Sequence, residues 1–258
     1  MSTFLFDDII FGPVWSRRLG ESLGINLLPA GRKVCNFNCV YCECGLTQFN
    51  EAENKFPDYE TVISRLTEKL KVMREHNEYL NSITFAGNGE PTLHPEFPLI
   101  IRKSIECRNQ YFPEAKIAVL SNATLITKPP VFDALQLADL NILKLDSAFE
   151  ETLKIINCPA ANHNMDEIVK TLELFNGKLV IQTLFLKGTC NGVSFDNTTD
   201  KEVRAWLEVL KKVKPECVML YSLARDSAIN TLEKTGEEKL YSIARLVNEA
   251  GIETQVTP

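Results

Sequence analysis

The sequence predicts an α/β protein in which a parallel sheet is covered by helices. Three observations carry that expectation. Six short, mostly apolar runs rich in β-branched residues alternate along the chain with stretches of helical periodicity. Apolar strands of this kind are buried on both faces, as in a parallel sheet. No linker, low-complexity tract or repeat interrupts the alternation. With 258 residues and 45% hydrophobic content, core burial is not limiting. Residues 1–258 are read as a single core domain, with a short N-terminal extension over 1–21 and the α/β body over 22–258.

The first strand falls over 22–29 (SLGINLLP). Tyr59, Val62, Ile63, Leu66, Leu70 and Met73 then mark one helical face, with Asp58 as its cap. A second strand over 82–87 (SITFAG) precedes a helix carrying Phe97, Ile100, Ile101 and Ile105. A third over 115–121 (AKIAVLS) is followed by a short helix near 129–138. A fourth over 141–146 (NILKLD) leads to Met165, Ile168, Val169 and Leu172, capped by Asn164 with Glu167. A fifth over 178–186 (KLVIQTLFL) precedes a helix that opens with a Thr199–Glu202 capping box. A sixth over 217–223 (CVMLYSL) precedes the final helix, marked by Leu240, Ile243, Ala244 and Val247, and GIETQV (251–256) reads as a last short strand. Right-handed crossovers wind such a sheet in one direction. The pattern by itself fits an open doubly wound sheet and a barrel equally.

Composition narrows the setting. No apolar run approaches the ~20 residues of a membrane helix. The opening MSTFLFDDIIFGP is acidic and lacks a basic region, so it does not read as a secretory signal, and a cytoplasmic protein is expected. The eight cysteines then read as reduced thiols and metal ligands rather than disulfides. A net charge of −6 counts against a nucleic-acid substrate without excluding a local basic patch.

The strongest local feature is Cys35-Asn-Phe-Asn-Cys39-Val-Tyr-Cys42, directly after the first strand. A loop of this C-x3-C-x2-C spacing aims three thiolates at one place, and soft thiolates select iron–sulfur clusters, zinc or Cu(I). A 4Fe–4S cube held by three cysteines keeps one iron open for a further ligand. The competing reading is a closed structural zinc site, or an electron carrier, completed by Cys44 or a distant histidine. A second feature, Gly87-Asn88-Gly89-Glu90-Pro91, follows the second strand. Its glycines permit positive φ and close backbone approach, and Glu90 offers an acceptor to an ammonium group. The third is Lys144 with Asp146, charges of equal parity in an otherwise apolar strand, which is costly unless they are paired or used. Polar residues also stand at strand ends: Ser121 and Asn122, Gln182, and Tyr221 with Ser222 and Arg225. In the extension, adjacent Arg17 and Arg18 suit an anionic group, and the segment itself suits a hairpin covering one end of the body.

The cysteine spacing, with Tyr41 in the aromatic position, resembles the C-x3-C-x-aromatic-C signature of the radical S-adenosylmethionine (SAM) superfamily. That resemblance spans most of the chain and implies a partial (β/α)6 barrel with its chemistry at the C-terminal strand ends. It implies that Cys35, Cys39 and Cys42 hold a 4Fe–4S cluster whose open iron binds SAM. It places Tyr41, Gly89, Glu90, Ser121, Asn122, Lys144, Asp146, Gln182 and Tyr221 as SAM-contact candidates, and leaves Cys44 a nearby free thiol. The family cleaves SAM reductively to a 5′-deoxyadenosyl radical that abstracts a hydrogen atom, and takes its electron from a donor such as flavodoxin or ferredoxin. The family's Gly-Gly-Glu-Pro motif is altered here, because Asn88 separates the two glycines. The run FGPVWSRRLG followed by SLGIN resembles one branch grouped with the tRNA wybutosine-synthesis enzymes. Those enzymes carry additional N-terminal cysteines, whereas this chain has none before Cys35. The substrate classes compatible with the sequence are a tRNA base, a glycyl radical enzyme, a peptide and a small molecule. Cys158 and Cys190, in loops, are too few for an auxiliary four-cysteine cluster.

Overall fold

The computed structural model describes residues 4–47, 55–161, 164–224 and 229–258. Arg225 and His163 lie outside the described residues. Strand β1 (Ile10–Ser16) pairs antiparallel with β2 (Gly20–Ile25). Helix α1 (Tyr59–Glu75) leads to β3 (Ser82–Phe85), α2 (Phe97–Tyr111) to β4 (Lys116–Ser121), and α3 (Pro129–Leu135) to β5 (Leu140–Lys144). Two helices, α4 (Glu150–Asn157) and α5 (Met165–Glu173), connect to β6 (Val180–Leu184). Strands β7 (Leu186–Cys190) and β8 (Val193–Asp196) follow, then α6 (Asp200–Val213) and β9 (Cys217–Tyr221). The chain closes with β10 (Leu232–Lys234), α7 (Glu237–Glu249) and β11 (Glu253–Thr257).

The main sheet has the order β1-β2-β3-β4-β5-β6-β9-β11, and every neighbouring pair after β1–β2 is parallel. It curls into a half-barrel with helices outside. Alternation along each strand sorts the side chains. Ile83, Phe85, Ile117, Val119, Leu143, Ile181, Val218 and Leu220 face the helices in the main core. Ala118, Ile142, Val180 and Met219 face inward as a separate cluster, with Leu19 packed against them. Leu19 comes from the β1–β2 turn, so that turn folds under the barrel and plugs its floor. Among the described residues no helix is long and apolar enough to cross a membrane.

The expected helix caps are present. Asp58 accepts from Thr61 N and Asn164 from Glu167 N. Thr199 accepts from Glu202 N, but the reciprocal half of that capping box is missing. Glu202 instead takes hydrogen bonds from Ser147 Oγ and Thr152 Oγ1, both at 2.6 Å, and ties the segment after β5 to α6.

Three features differ from the sequence expectation. The apolar run 178–186 is two strands, not one. Asn197, almost fully buried, accepts from Leu186 N and donates to Leu184 O, both at 2.8 Å, and turns the chain between them. Strand β7 then joins β8 and β10 in a separate sheet of order β10-β7-β8, which short, half-exposed strands did not announce. Helix α4, of eight residues, was not anticipated either. Finally, the N-terminal hairpin covers one end only through its turn, which carries Leu19: β2 is itself the first strand of the parallel series and β1 extends its edge.

Candidate active site

A cavity of about 460 Å³ opens at the C-terminal strand ends. It is lined by Cys35, Cys39 and Cys42, by Tyr41, Gly89, Glu90, Ser121 and Asn122, and by Lys144, Gln182 and Tyr221. Of the site residues expected from sequence only Asp146 does not line it. Cys44, Lys33, Arg17 and Arg18 also reach it.

The cysteine loop is seated by backbone. Val34 N donates to Asn88 O (2.8 Å) and Glu90 N donates to Val34 O (3.1 Å), forming an isolated parallel bridge between Val34 and Gly89. A Cβ at Gly89 would lie 1.9 Å from the Val34 carbonyl oxygen, and Gly89 has φ +137°, so only glycine allows this contact. The bridge therefore holds the residue before Cys35 against the residue before Glu90. Asn88, the departure from the family motif, has its side chain turned away from the cavity. It accepts from Phe6 N (2.8 Å) and donates to Phe6 O (2.7 Å) and Pro29 O (3.0 Å), pinning the N-terminal segment and the start of the cysteine loop.

Side chains from the residue after β4 and from the end of α4 reach the sulfurs. Asn122 Nδ2 lies 3.6 Å from Cys35 Sγ and donates to Asn36 Oδ1 at 2.7 Å. Asn157 Nδ2 lies 3.4 Å from Cys39 Sγ, and Phe37 N donates to Cys35 Sγ at 3.3 Å. Burial pushes the Cys35 thiol up to about 12, with Glu90 adding to it, and burial pushes Cys39 up to about 11 against the pull of Lys144. Hydrogen bonding with Cys44 draws Cys42 down to about 5, and the same bond raises Cys44. Lys33, almost fully buried, donates to Gly45 O (3.0 Å) and favours the thiolate form of the neighbouring cysteines.

Glu90 is 2% exposed. Its Oε1 accepts from Thr92 N, Thr92 Oγ1 and Ser121 Oγ, and its Oε2 accepts from Asn122 N at 2.6 Å. Burial raises its pKa despite these donors. Oε2 keeps a lone pair for a cationic partner in the cavity. Behind this wall stands a second network. Lys144 Nζ donates to Tyr41 OH (2.7 Å), Tyr41 OH donates to Asp146, and Asn157 Nδ2 donates to Asp146 at 2.7 Å. Asp146 also accepts from Leu184 N (2.9 Å), so it serves as the buried hub that orients Tyr41 and Lys144. Burial opposes the charge on Lys144, but Asp146 and Tyr221 outweigh it and raise its pKa.

The donor set fits an iron–sulfur cube. Three thiol side chains share one cavity wall, amides aim at two of the sulfurs, and Glu90 stands beside them with an acceptor position free. Among the described residues no trio of Cys, His, Asp or Glu side chains forms a site for a single metal ion.

Residues 33–210 match the family model of the radical SAM superfamily. The chain belongs to the radical SAM superfamily. Relatives of this radical SAM protein include a Brachyspira hyodysenteriae protein named GTPase Obg, 28% identical over 90% of this chain but only 32% of that protein's length. A UPF0026 protein of Helicobacter pylori is 29% identical over 90% of this chain and 71% of its own. In fold, a radical SAM methyltransferase from Sphaerobacter thermophilus gives a TM-score of 0.67 at 15% identity, covering 92% of this chain and 65% of that one. Archaeal TYW1 gives 0.54 at 15% identity, covering 89% and 72%.

Sequence reasoning missed Lys33, Asn36 and Asn157 at and around this cavity. Lys33 and Asn36 flank Cys35 within two residues, a proximity that was a usable signal. Asn157 arrives from α4, which the sequence did not reveal. His94 is buried: it contacts Pro57 O through Nε2 (2.7 Å) and accepts from Glu96 N through Nδ1. It stands outside the cavity lining.

Proposed function

We propose that this protein is a SAM-dependent radical enzyme whose Cys35, Cys39 and Cys42 hold a 4Fe–4S cluster. The observation that carries the reading is the opening of all three cysteines and Glu90 into one cavity, on a chain whose family is defined by that chemistry. When bound, the reduced cluster and SAM supply a carbon-centred radical that removes a hydrogen atom from substrate.

The chain's own residues do the rest. Glu90 offers its free acceptor position to the ammonium group of SAM, and the Val34–Gly89 bridge keeps that carboxylate in register with the cysteines. Asn122 and Asn157 hold the cysteine side chains in place. Lys144, fixed through Tyr41 and Asp146, sets a positive charge on the cavity wall at the end of β5. An external one-electron donor of the flavodoxin or ferredoxin type completes the cycle. A cavity of this size suits a small molecule, or the end of a larger one, better than a folded partner.

The test is anaerobic reconstitution with iron and sulfide, reduction, addition of SAM and assay of 5′-deoxyadenosine. Formation that requires reductant is expected, with loss in Cys35→Ala, Cys39→Ala and Cys42→Ala and retention in Cys44→Ala. A protein that takes up zinc but no iron–sulfur cluster, or a Cys44 variant that loses its iron, would overturn the assignment.

A further inference from the structure

Arg18 is a cavity cation to which the proposed chemistry gives no role. The β1–β2 turn carries it beneath the sheet and into the cavity, above the Leu19 plug. There its Nη1 donates to Gln182 Oε1 at 3.1 Å, and its guanidinium lies over the Tyr221 ring, 5.0 Å from the centroid. Both partners are neutral. Among the described residues Arg18 has no carboxylate partner, whereas the other cavity cation deep in the barrel, Lys144, is paired with Asp146 at 3.6 Å. A guanidinium held in a half-buried position by an amide and an aromatic face still has donors facing the cavity. Burying a permanent charge without a counter-ion is costly, and a bidentate oxyanion is the partner whose geometry matches the fork.

The position says whose oxyanion it is. The cysteine loop and Glu90 are held from β2, β3 and β4, where SAM's amino acid end belongs if it meets the open iron of the cluster. Arg18 is held from β6 and β9, on the other side of the cavity. Gln182 pairs in register with Lys144 on one side and Met219 on the other, so Arg18 stands over the middle of those strands and not at the cysteine rim.

We propose that Arg18, oriented by Gln182 and Tyr221, is the anchor for a carboxylate or phosphate group of a small-molecule substrate. This rests on the radical SAM reading for the word substrate, but the anion site itself does not depend on it. Gln182 and Tyr221 are on this view positioning residues, which act through the guanidinium.

The experiment titrates inorganic phosphate, and separately acetate, into the anaerobically reconstituted protein by calorimetry, with and without SAM. The expected result is saturable one-site binding of at least one of the two anions, weakened tenfold or more in Arg18→Gln. The preferred anion tells phosphate from carboxylate. Arg18→Lys, which keeps the charge but not the fork, is expected to recover only part of the affinity. Gln182→Glu supplies an internal carboxylate 3.1 Å from the guanidinium nitrogen and is expected to abolish anion binding while Arg18 is still present. Iron content and SAM affinity, read on the same samples, are expected to stay within threefold of wild type in Arg18→Gln. Absence of saturable binding of either anion to the wild type, or unchanged binding in Arg18→Gln, overturns the proposal. So does a tenfold loss of SAM affinity in Arg18→Gln, which would give the arginine to SAM. A wild-type protein that binds anions through Arg18 but never takes up SAM would overturn the functional reading and leave the anion site standing.

Discussion

On the β2–β4 side of the barrel mouth the two functional loops are joined backbone to backbone; on the β6–β11 side the anchor is held by side chains alone. The cysteine loop and the Gly-Asn-Gly-Glu loop are joined by the Val34–Gly89 bridge, a contact of main chain with main chain. Opposite, Arg18 arrives from the β1–β2 turn, which precedes every parallel strand, and is positioned by one amide and one ring. The β10-β7-β8 sheet is attached beside it through Asn197. Chemistry that must be placed to within fractions of an ångström sits on the rigid side. Side-chain anchors can be changed one residue at a time, which makes the second side the one suited to substrate choice.

The largest effect expected from breaking this contrast is at Gly89. In Gly89→Ala the new Cβ meets a carbonyl oxygen at 1.9 Å and the residue is asked for φ +137°. Backbone cannot give way as a side-chain tip does, so the cysteine loop must lift from its seat. Iron bound per chain after reconstitution is expected to fall at least tenfold, while the helix content measured by circular dichroism stays near wild type. Full iron loading in that variant would show that the bridge is not what seats the loop.

How much of this was legible in the sequence follows the same division. Cys35, Cys39, Cys42 and Glu90 could be read because residues that open into one cavity also lie together in the chain, each group directly after one strand. Lys144 and Asp146 were visible as charges in an apolar run, but not their separate duties: Asp146 is spent on Tyr41, Asn157 and the Leu184 amide, and does not line the cavity. Asn88 looked like a defect in a glycine motif. It is a pin whose partners, Phe6 and Pro29, are far away in the chain. Arg18 was noticed as one of an arginine pair, but its contacts with Gln182 and Tyr221 span more than 160 residues, and no local pattern encodes such a meeting. The break between β6 and β7 was hidden because both flanks are buried, so the apolar run continues across the turn.

Two buried asparagines permit a matched test of intermediate size. Asn88 makes three hydrogen bonds to backbone on the cysteine side, and Asn197 makes three on the other, to Leu186 N, Leu184 O and Asp146 O. Replacing either by Ala strands buried backbone groups, and about 2–4 kcal/mol of stability is expected to be lost in each, read from denaturant midpoints. Their consequences for the site should differ. Asn88→Ala is expected to slow cluster uptake, because Pro29 leads into the cysteine loop. Asn197→Ala is expected to leave iron content unchanged and to increase hydrogen exchange in β7 and β8. Equal effects of the two on iron content would mean that the two sides of the mouth are one cooperative unit.

The smallest effect belongs to Arg17, Arg18's neighbour. Arg17 is exposed and donates to the Pro258 carbonyl oxygen at 3.0 Å, a link between the turn of the β1–β2 hairpin and the far edge of the sheet beyond β11. A second link crosses the same gap, from Gln255 Nε2 to Arg18 O at 3.4 Å. An exposed hydrogen bond of this kind exchanges water for protein at little net gain, and Arg17→Gln is expected to cost less than about 1 kcal/mol. Phosphate and acetate affinity are expected to stay within threefold of wild type, because the guanidinium that points into the barrel is the next one along the chain. If Arg17→Gln weakened anion binding as strongly as Arg18→Gln, the anchor would be the arginine pair at the gap between the sheet edges. The anion would then be held at the mouth of that gap and not over Tyr221.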